Sequence, residues 1–95
     1  MTAATEADDT FPDLRDHVKR SFEEWTKRIS DAIVQGQKDK ELNENANAQE
    51  YASLFIMLIE GGILLSKTTG DEKFLNLALD RILHLIDHEL NIIPS

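Results

Sequence analysis

The chain is organised around its most apolar segment, which reads Leu54-Phe-Ile-Met-Leu-Ile-Glu-Gly-Gly-Ile-Leu-Leu-Ser-Lys-Thr-Thr-Gly-Asp71. Apolar side chains cover almost every direction of a helical wheel between Leu54 and Leu65, which predicts a helix buried on all sides. Two glycines, Gly61 and Gly62, stand in the middle of this helix, although each costs about 1 kcal/mol relative to alanine there. We therefore expect another helix to approach the backbone closely at this pair, either within the chain or from a second copy.

The size and charge of the chain restrict the functions open to it. Its 95 residues make one domain at most, and its net charge of -8 argues against binding nucleic acid or an anionic membrane surface. It has no Cys, which excludes disulfides and thiolate metal sites. The acidic N-terminus does not resemble a signal peptide, and the apolar run 54–65, interrupted by Glu60, is too short to span a bilayer. We expect a soluble, cytoplasmic protein.

Helical periodicity predicts an all-α fold of three antiparallel helices. Residues 1–9 are small, polar and acidic, and are expected to form a disordered tail ahead of a helical domain over 10–95. The first helix is predicted from a cap at Thr10 to about Gln37, with one apolar stripe roughly 100° wide. The aperiodic loop that follows has Leu42 as a candidate apolar anchor.

Cap and stop signals define the two remaining helices. Asn47-Ala-Gln-Glu50 is a capping box and predicts a second helix over 48–67. Gly70-Asp71 is expected to end that helix in a left-handed conformation and to cap a third helix over 72–90. The apolar surface of the third helix spans about 180°, which is wider than the roughly 100° that a one-sided surface helix needs. Both helices therefore present more apolar surface than their own chain can cover.

Few charged or metal-ligating residues stand out. Glu60 either marks the solvent-exposed edge of its helix or contacts a base or a ligand, since an isolated buried carboxylate would be strongly penalised. His84 and His88 are spaced like metal ligands, but no further ligand pattern accompanies them and Arg81 beside them disfavours a cation. The sequence around His17 does not indicate a functional role for it. Without a nucleophile motif, phosphate loop or carboxylate pair, we expect no catalysis and no cofactor or metal.

Large apolar side chains on the first two helices are candidates for a small-molecule pocket between them. The alternative explanation is that they form ordinary core. The candidates are Phe22, Trp25, Ile29, Tyr51, Phe55 and Met57.

A longer pattern in the chain resembles a known family. It comprises Gly36-Gln37, Glu41-Leu42, Asn47 and the run Glu60-Gly-Gly-Ile-Leu-Leu-Ser-Lys-Thr-Thr-Gly-Asp71, followed by a Leu-rich helix. In these features the chain resembles the C-terminal domain of tetracycline-repressor (TetR) type transcriptional regulators. The similarity covers roughly 29–90 and is most specific in the Glu-Gly-Gly…Gly-Asp run.

The resemblance implies an all-helical homodimer whose last two helices pair with those of a second copy in a four-helix bundle. It also implies a small effector, bound in a cavity of which the first helix forms one wall. The interface positions that the resemblance implies on the second and third helices are Ile59, Gly62, Ile63, Ser66, Leu79, Ile82, Leu83 and Ile86.

The family's N-terminal helix-turn-helix domain has no counterpart in this sequence, so we expect a fragment of a longer regulator that does not itself bind DNA. Two other hypotheses stay open. One is a stand-alone helical self-association module with no ligand. The other is a small helical enzyme or metal protein that uses Glu60, His84 or His88.

Overall fold

The structure, a computed structural model, describes residues 12–93, so the predicted tail 1–9 and the cap at Thr10 lie outside the described residues. Three α-helices follow one another along the chain, and a π-helical turn continues the third. They are α1 (Pro12–Lys38), α2 (Ala48–Thr69), α3 (Lys73–Leu85) and the π-helical turn Ile86–Leu90. Residues 12–93 contain no β-strand, which confirms the predicted all-α, three-helix fold.

The predicted cap and stop signals set both ends of α2. The Asn47 side-chain oxygen accepts a hydrogen bond from the Glu50 backbone N–H at 3.0 Å. At the other end, Gly70 adopts φ +73° and its N–H donates to the Ser66 carbonyl oxygen at 2.9 Å. The helix extends to Thr69, two residues beyond the predicted end, because the glycine rather than the last basic residue terminates it.

The turn into α3 depends on two side-chain oxygens. Asp71 accepts a hydrogen bond from the Lys73 N–H at 2.9 Å, as a capping side chain does, and the helix begins at Lys73, one residue later than predicted. The Ser66 hydroxyl oxygen accepts from the Leu75 N–H at 3.1 Å and so satisfies a further donor of the first turn. Ser66 therefore already has a structural role inside the chain.

The C-terminal segment and the loop between α1 and α2 hold each other in place. The π-helical turn ends with a hydrogen bond from the Asn91 N–H to the Ile86 carbonyl at 2.7 Å, and it buries Leu90 almost completely. The Leu90 carbonyl accepts a hydrogen bond from the Asn43 N–H at 2.7 Å. Leu42 packs against the core, as predicted for an anchor of this loop.

The core lies where the C-terminal half of α1 meets α2 and the end of α3. Five residues form its buried cluster: Ile33, Phe55, Ile82, Leu85 and Leu90. Further along α2, Gly62 is buried against α3. A Cβ at this position would lie 3.1 Å from the Ala78 Cβ, the Leu75 Cα and the Phe74 carbonyl oxygen. The close approach predicted at the glycine pair therefore occurs within the chain, at Gly62.

Within residues 12–93, α2 is the one helix long and apolar enough to cross a membrane, by length and composition alone. The sequence-based expectation considered only the run 54–65, whereas the full helix Ala48–Thr69 reaches the necessary length. Core helices of soluble proteins meet the same criterion. In this chain α2 packs against both α1 and α3, and 22% of its apolar window is buried.

Candidate functional site

An open cleft of about 590 Å³ separates the N-terminal half of α1 from the middle of α2. Its walls are mainly apolar, and its polar groups come from both helices. The lining residues are His17, Val18, Ser21, Phe22, Trp25, Ile29, Ile56, Ile59 and Glu60. The volume falls within the range of typical small-molecule sites, which are apolar with a few polar groups.

Two aromatic side chains of α1 are exposed in this cleft. Trp25 is 56% exposed and Phe22 is 39% exposed, although both belong to the apolar stripe of the helix. Neither therefore behaves as core in the described residues. The guanidinium of Arg28 lies 5.3 Å from the centroid of the Trp25 ring and donates a 2.8 Å hydrogen bond to the Glu24 carboxylate. The Trp25 ring thus already has the Arg28 cation over it, and the charge of this cation is paired with Glu24.

Polar groups line the cleft alongside these rings. Glu60 is exposed, in line with the prediction that it marks the solvent edge of α2, and it also lines the cleft. No ion pair involves it among the described residues. His17 and Ser21 contribute an imidazole and a hydroxyl from α1. The cleft can therefore accept an apolar body and offer a carboxylate, an imidazole and a hydroxyl to its polar atoms.

The cleft includes only some of the predicted ligand-binding residues. Phe22, Trp25 and Ile29 line it, but Tyr51 and Phe55 do not. Phe55 is 5% exposed in the core cluster, and the Tyr51 ring packs against it with centroids 6.1 Å apart. These two residues lie one turn apart on α2, on the face that meets the end of α1, so they serve as core rather than as pocket walls.

Tyr51 also makes a polar contact away from the cleft. Its hydroxyl donates a hydrogen bond to the Glu89 carboxylate in the π-helical turn. This bond, aided by desolvation and by the negative charge of Glu89, raises the pKa of the Tyr51 hydroxyl above its usual value. The contact ties α2 to the C-terminal segment and has no link to the cleft.

Met57 faces a second groove, about 440 Å³ in volume, which runs between α2 and α3 and is almost entirely apolar. We call it the outer groove. Its lining residues are Met57, Leu58, Gly61, Gly62, Leu65, Phe74, Leu77, Ala78 and Arg81. Ile56 in the cleft and Leu65 in the groove are nine positions apart, which is about 180° around a helix. The cleft and the groove therefore lie on opposite sides of α2.

The predicted interface residues do not form one exposed surface in the single chain. Gly62 and Ile82 are buried inside it, Ser66 bonds to the start of α3, and Ile59 lines the cleft. Ile63 and Ile86 are half-buried, whereas Leu79 and Leu83 are 43% and 59% exposed. Leu79 and Leu83 lie two positions beyond Leu77 and Arg81, about 200° around α3, and so face away from the outer groove.

The two histidines of α3 stack on each other at the surface. The ring centroids of His84 and His88 are 4.0 Å apart with an 18° interplanar angle, and His88 Nδ1 lies 3.0 Å from the His84 carbonyl oxygen. Across residues 12–93, no group of three potential metal-ligating side chains comes together. The pair is therefore a helix-surface feature outside both the cleft and the groove.

Sequence reasoning missed four of the nine residues that line the cleft, and it placed Ile59 elsewhere. The four are His17, Val18, Ser21 and Ile56. Val18 lies four positions before Phe22 on the apolar stripe of α1, and that spacing could have identified it. His17 and Ser21 border that stripe, but only the packing of α1 on α2 shows which border faces the cleft. The rotation of α1 about its own axis decides this, and no local feature of the sequence indicates that rotation.

Comparisons with known proteins agree with this architecture. The family model "Tetracyclin repressor-like, C-terminal domain" matches residues 1–83. Two similar solved structures are a TetR transcriptional regulator from Chloroflexus aurantiacus J-10-FL and a TetR-family transcriptional regulator from Cytophaga hutchinsonii. Their identities to this chain are 27% and 26%, with TM-scores of 0.86 and 0.84. No curated protein matches the chain.

Both alignments cover 95% of this chain but only 46% and 44% of the two longer proteins. The chain thus spans less than half the length of either. Since the family model covers most of the sequence, the chain belongs to the tetracyclin repressor-like C-terminal domain family.

Proposed function

We propose that this chain is the effector-binding and dimerisation domain of a cytoplasmic TetR-type transcriptional regulator. The observation that carries the proposal is the cleft between α1 and α2, where Trp25 and Phe22 expose aromatic rings inside a C-terminal domain of this family. A small, mainly apolar effector placed there would cover both rings. The domain acts by binding and not by catalysis, and DNA is recognised through an N-terminal helix-turn-helix domain of the regulator and not through residues 12–93.

The proposed dimer forms through α2 and α3, which together line the outer groove. The groove is apolar, and Leu77 within it is 67% exposed. A Cβ at Gly61 would meet nothing within 4 Å, so this glycine leaves an open strip of backbone on α2. A helix of a second copy can approach closely at such a strip, which offsets the helix-propensity cost of the glycine. We therefore place the two-fold contact at Gly61, because Gly62 is already enclosed by α3.

The two surfaces share one helix, which suggests how a ligand signal passes between them. Ile56 and Glu60 of α2 line the cleft, while Gly61 and Leu65 of the same helix line the outer groove. A ligand that prefers one position of α1 relative to α2 shifts the population towards that position. The dimer contact on the far side of α2 then changes as well. The coupling free energy between the two sites is limited by the ligand's differential affinity for the two arrangements.

Two measurements on the purified chain test this function. Sedimentation velocity at tens of micromolar is expected to show a dimer, and a monomer at that concentration would contradict the proposed interface. Native mass spectrometry of protein purified without denaturation tests for a co-purified small molecule. A dimer that carries no ligand and binds no apolar probe in the cleft would instead support a self-association module.

A further inference from the structure

The charges around the cleft are unevenly distributed. Glu60 is the one carboxylate in its lining, and neither Lys nor Arg lines it. Among residues 12–93, no basic group forms an ion pair with Glu60. The nearby Arg28 already pairs with Glu24. The cleft lining therefore presents the Glu60 carboxylate without a Lys or Arg beside it, and its other ionisable side chain is the imidazole of His17.

A ligand in the cleft would change the surroundings of this carboxylate. An apolar body resting on Phe22, Trp25 and Ile56 displaces water beside Glu60, and a carboxylate that loses water without gaining a partner is disfavoured. A neutral ligand leaves that cost in place, and an anion adds repulsion from Glu60 and from the net charge of -8. A cation removes that cost, and the exposed ring of Phe22 attracts a cation as well, whereas Arg28 already lies over the Trp25 ring.

We propose that the cleft takes an amphiphilic organic cation, with its apolar or aromatic body against Trp25 and Phe22 and its positive centre beside Glu60. This assignment rests on the proposed effector-binding function and narrows it to a charge class. His17 and Ser21, at the α1 side of the cleft, are available to polar atoms of the same ligand. Charge, and not shape alone, then determines which apolar molecules the domain accepts.

Two probes of matched shape and opposite charge test the assignment. Tetraphenylphosphonium and tetraphenylborate are both four-ring ions, so a difference between them reports charge. Trp25 is the one tryptophan of the chain, so its fluorescence follows occupancy of the cleft directly. At 150 mM salt we expect saturable quenching by tetraphenylphosphonium, with an affinity at least about 10-fold higher than that of tetraphenylborate.

A pair of charge-neutralising variants locates the effect. Glu60→Gln is expected to weaken tetraphenylphosphonium binding about 5- to 10-fold, while Glu72→Gln, which removes the same charge at an exposed position outside the cleft lining, should change it less than 2-fold. Circular dichroism confirms that both variants keep the helical fold. Equal losses in the two variants would show a general effect of net charge and would overturn the assignment to Glu60.

A neutral probe, N-phenyl-1-naphthylamine, separates this proposal from the function on which it rests. If the neutral probe binds at Trp25 but tetraphenylphosphonium neither displaces it nor binds, the cation assignment is wrong and the effector site stands. If no probe alters Trp25 fluorescence, the effector site itself fails. Displacement of the neutral probe by tetraphenylphosphonium, lost selectively in Glu60→Gln, supports both.

Discussion

Replacing Gly61 and Gly62 separately with leucine distinguishes the helix crossing inside the chain from the interface proposed between chains. The two residues are adjacent, so the substitutions are matched in chemistry and in position along α2. They differ in surroundings, because Gly62 is buried against α3 whereas nothing lies within 4 Å of a Cβ at Gly61. We expect Gly61→Leu to dissociate the dimer without harming the fold, and Gly62→Leu to weaken the fold itself.

At Gly61 the monomer has room for the new side chain, and the helix gains about 1 kcal/mol in intrinsic propensity. In the proposed dimer the same side chain would enter a packed interface, where overpacking costs about 1–3 kcal/mol per site. A two-fold interface contains the site twice, which makes the cost about 2–6 kcal/mol per dimer. Since 1.4 kcal/mol corresponds to a tenfold change, the dissociation constant should rise at least about 30-fold.

At Gly62 the Cβ alone would lie 3.1 Å from three atoms, and two of these, the Leu75 Cα and the Phe74 carbonyl oxygen, belong to the backbone of α3. Backbone atoms cannot yield without moving the helix, so we expect the upper end of the overpacking range, about 3 kcal/mol. The gain of about 1 kcal/mol in helix propensity leaves a net loss of about 2 kcal/mol. For a domain of this size, that loss lowers Tm by about 8–16 °C.

Sedimentation velocity over a range of concentrations, together with thermal melting followed by circular dichroism, measures both effects. Wild-type Tm should rise with protein concentration, as mass action requires of a dimer, and this dependence should disappear in Gly61→Leu. If Gly61→Leu stays dimeric while Leu83→Lys dissociates, the interface lies on the opposite face of α3, among the positions first predicted from the sequence. A Gly62→Leu variant that melts like wild type would refute the tight crossing.

Three further predictions concern contacts that hold the fold together. Gly70→Ala should cost about 1 kcal/mol, or about 4–8 °C in Tm, because φ is +73° and alanine disfavours this conformation; chemical denaturation measures the loss, and an unchanged midpoint would contradict it. Asn47→Ala should cost about 1 kcal/mol through the lost cap, whereas Asn47→Asp should keep most of the stability. Tyr51 is the one tyrosine, so absorbance at 295 nm should show it ionising at higher pH than free tyrosine, with Glu89→Gln moving the transition down. Because the folded pKa is raised, the stability from this contact is complete below about pH 10, the usual tyrosine pKa, and is lost as pH rises through the folded pKa.

The two adjacent glycines of α2 face different surroundings, and they therefore have different roles. Gly62 lets α3 approach, which closes one side of the domain and buries Ala78. Gly61 is about 100° further around the helix and remains on the open groove. One glycine therefore belongs to the fold of the single chain, and the other is available to a second chain.

Local sequence signals were sufficient for the three helices and for both ends of α2 to within two residues. The Asn47 cap and the Gly70 stop act through hydrogen bonds and backbone angles within a few residues, so their effect does not depend on the rest of the molecule. Apolar periodicity likewise identified α1, α2 and α3, and a family resemblance over about two-thirds of the chain indicated the domain type that the family comparison confirms. The π-helical turn at Ile86–Leu90 had no such signal, since it forms where the chain end packs against the loop after α1.

The assignment of side chains to surfaces depended on tertiary structure. Aromatic residues on α1 and α2 looked equally suitable for a pocket, yet Phe55 is core and Trp25 is exposed in the cleft, because helix rotation and crossing decide which part of an apolar stripe is covered. The same rotation encloses Gly62 and leaves Gly61 open. A helix that is apolar on all sides reveals only that several surfaces must be covered. The packing of the neighbouring helices decides which of these surfaces the chain itself covers. That packing depends on contacts between residues far apart in sequence, so the sequence alone does not reveal it.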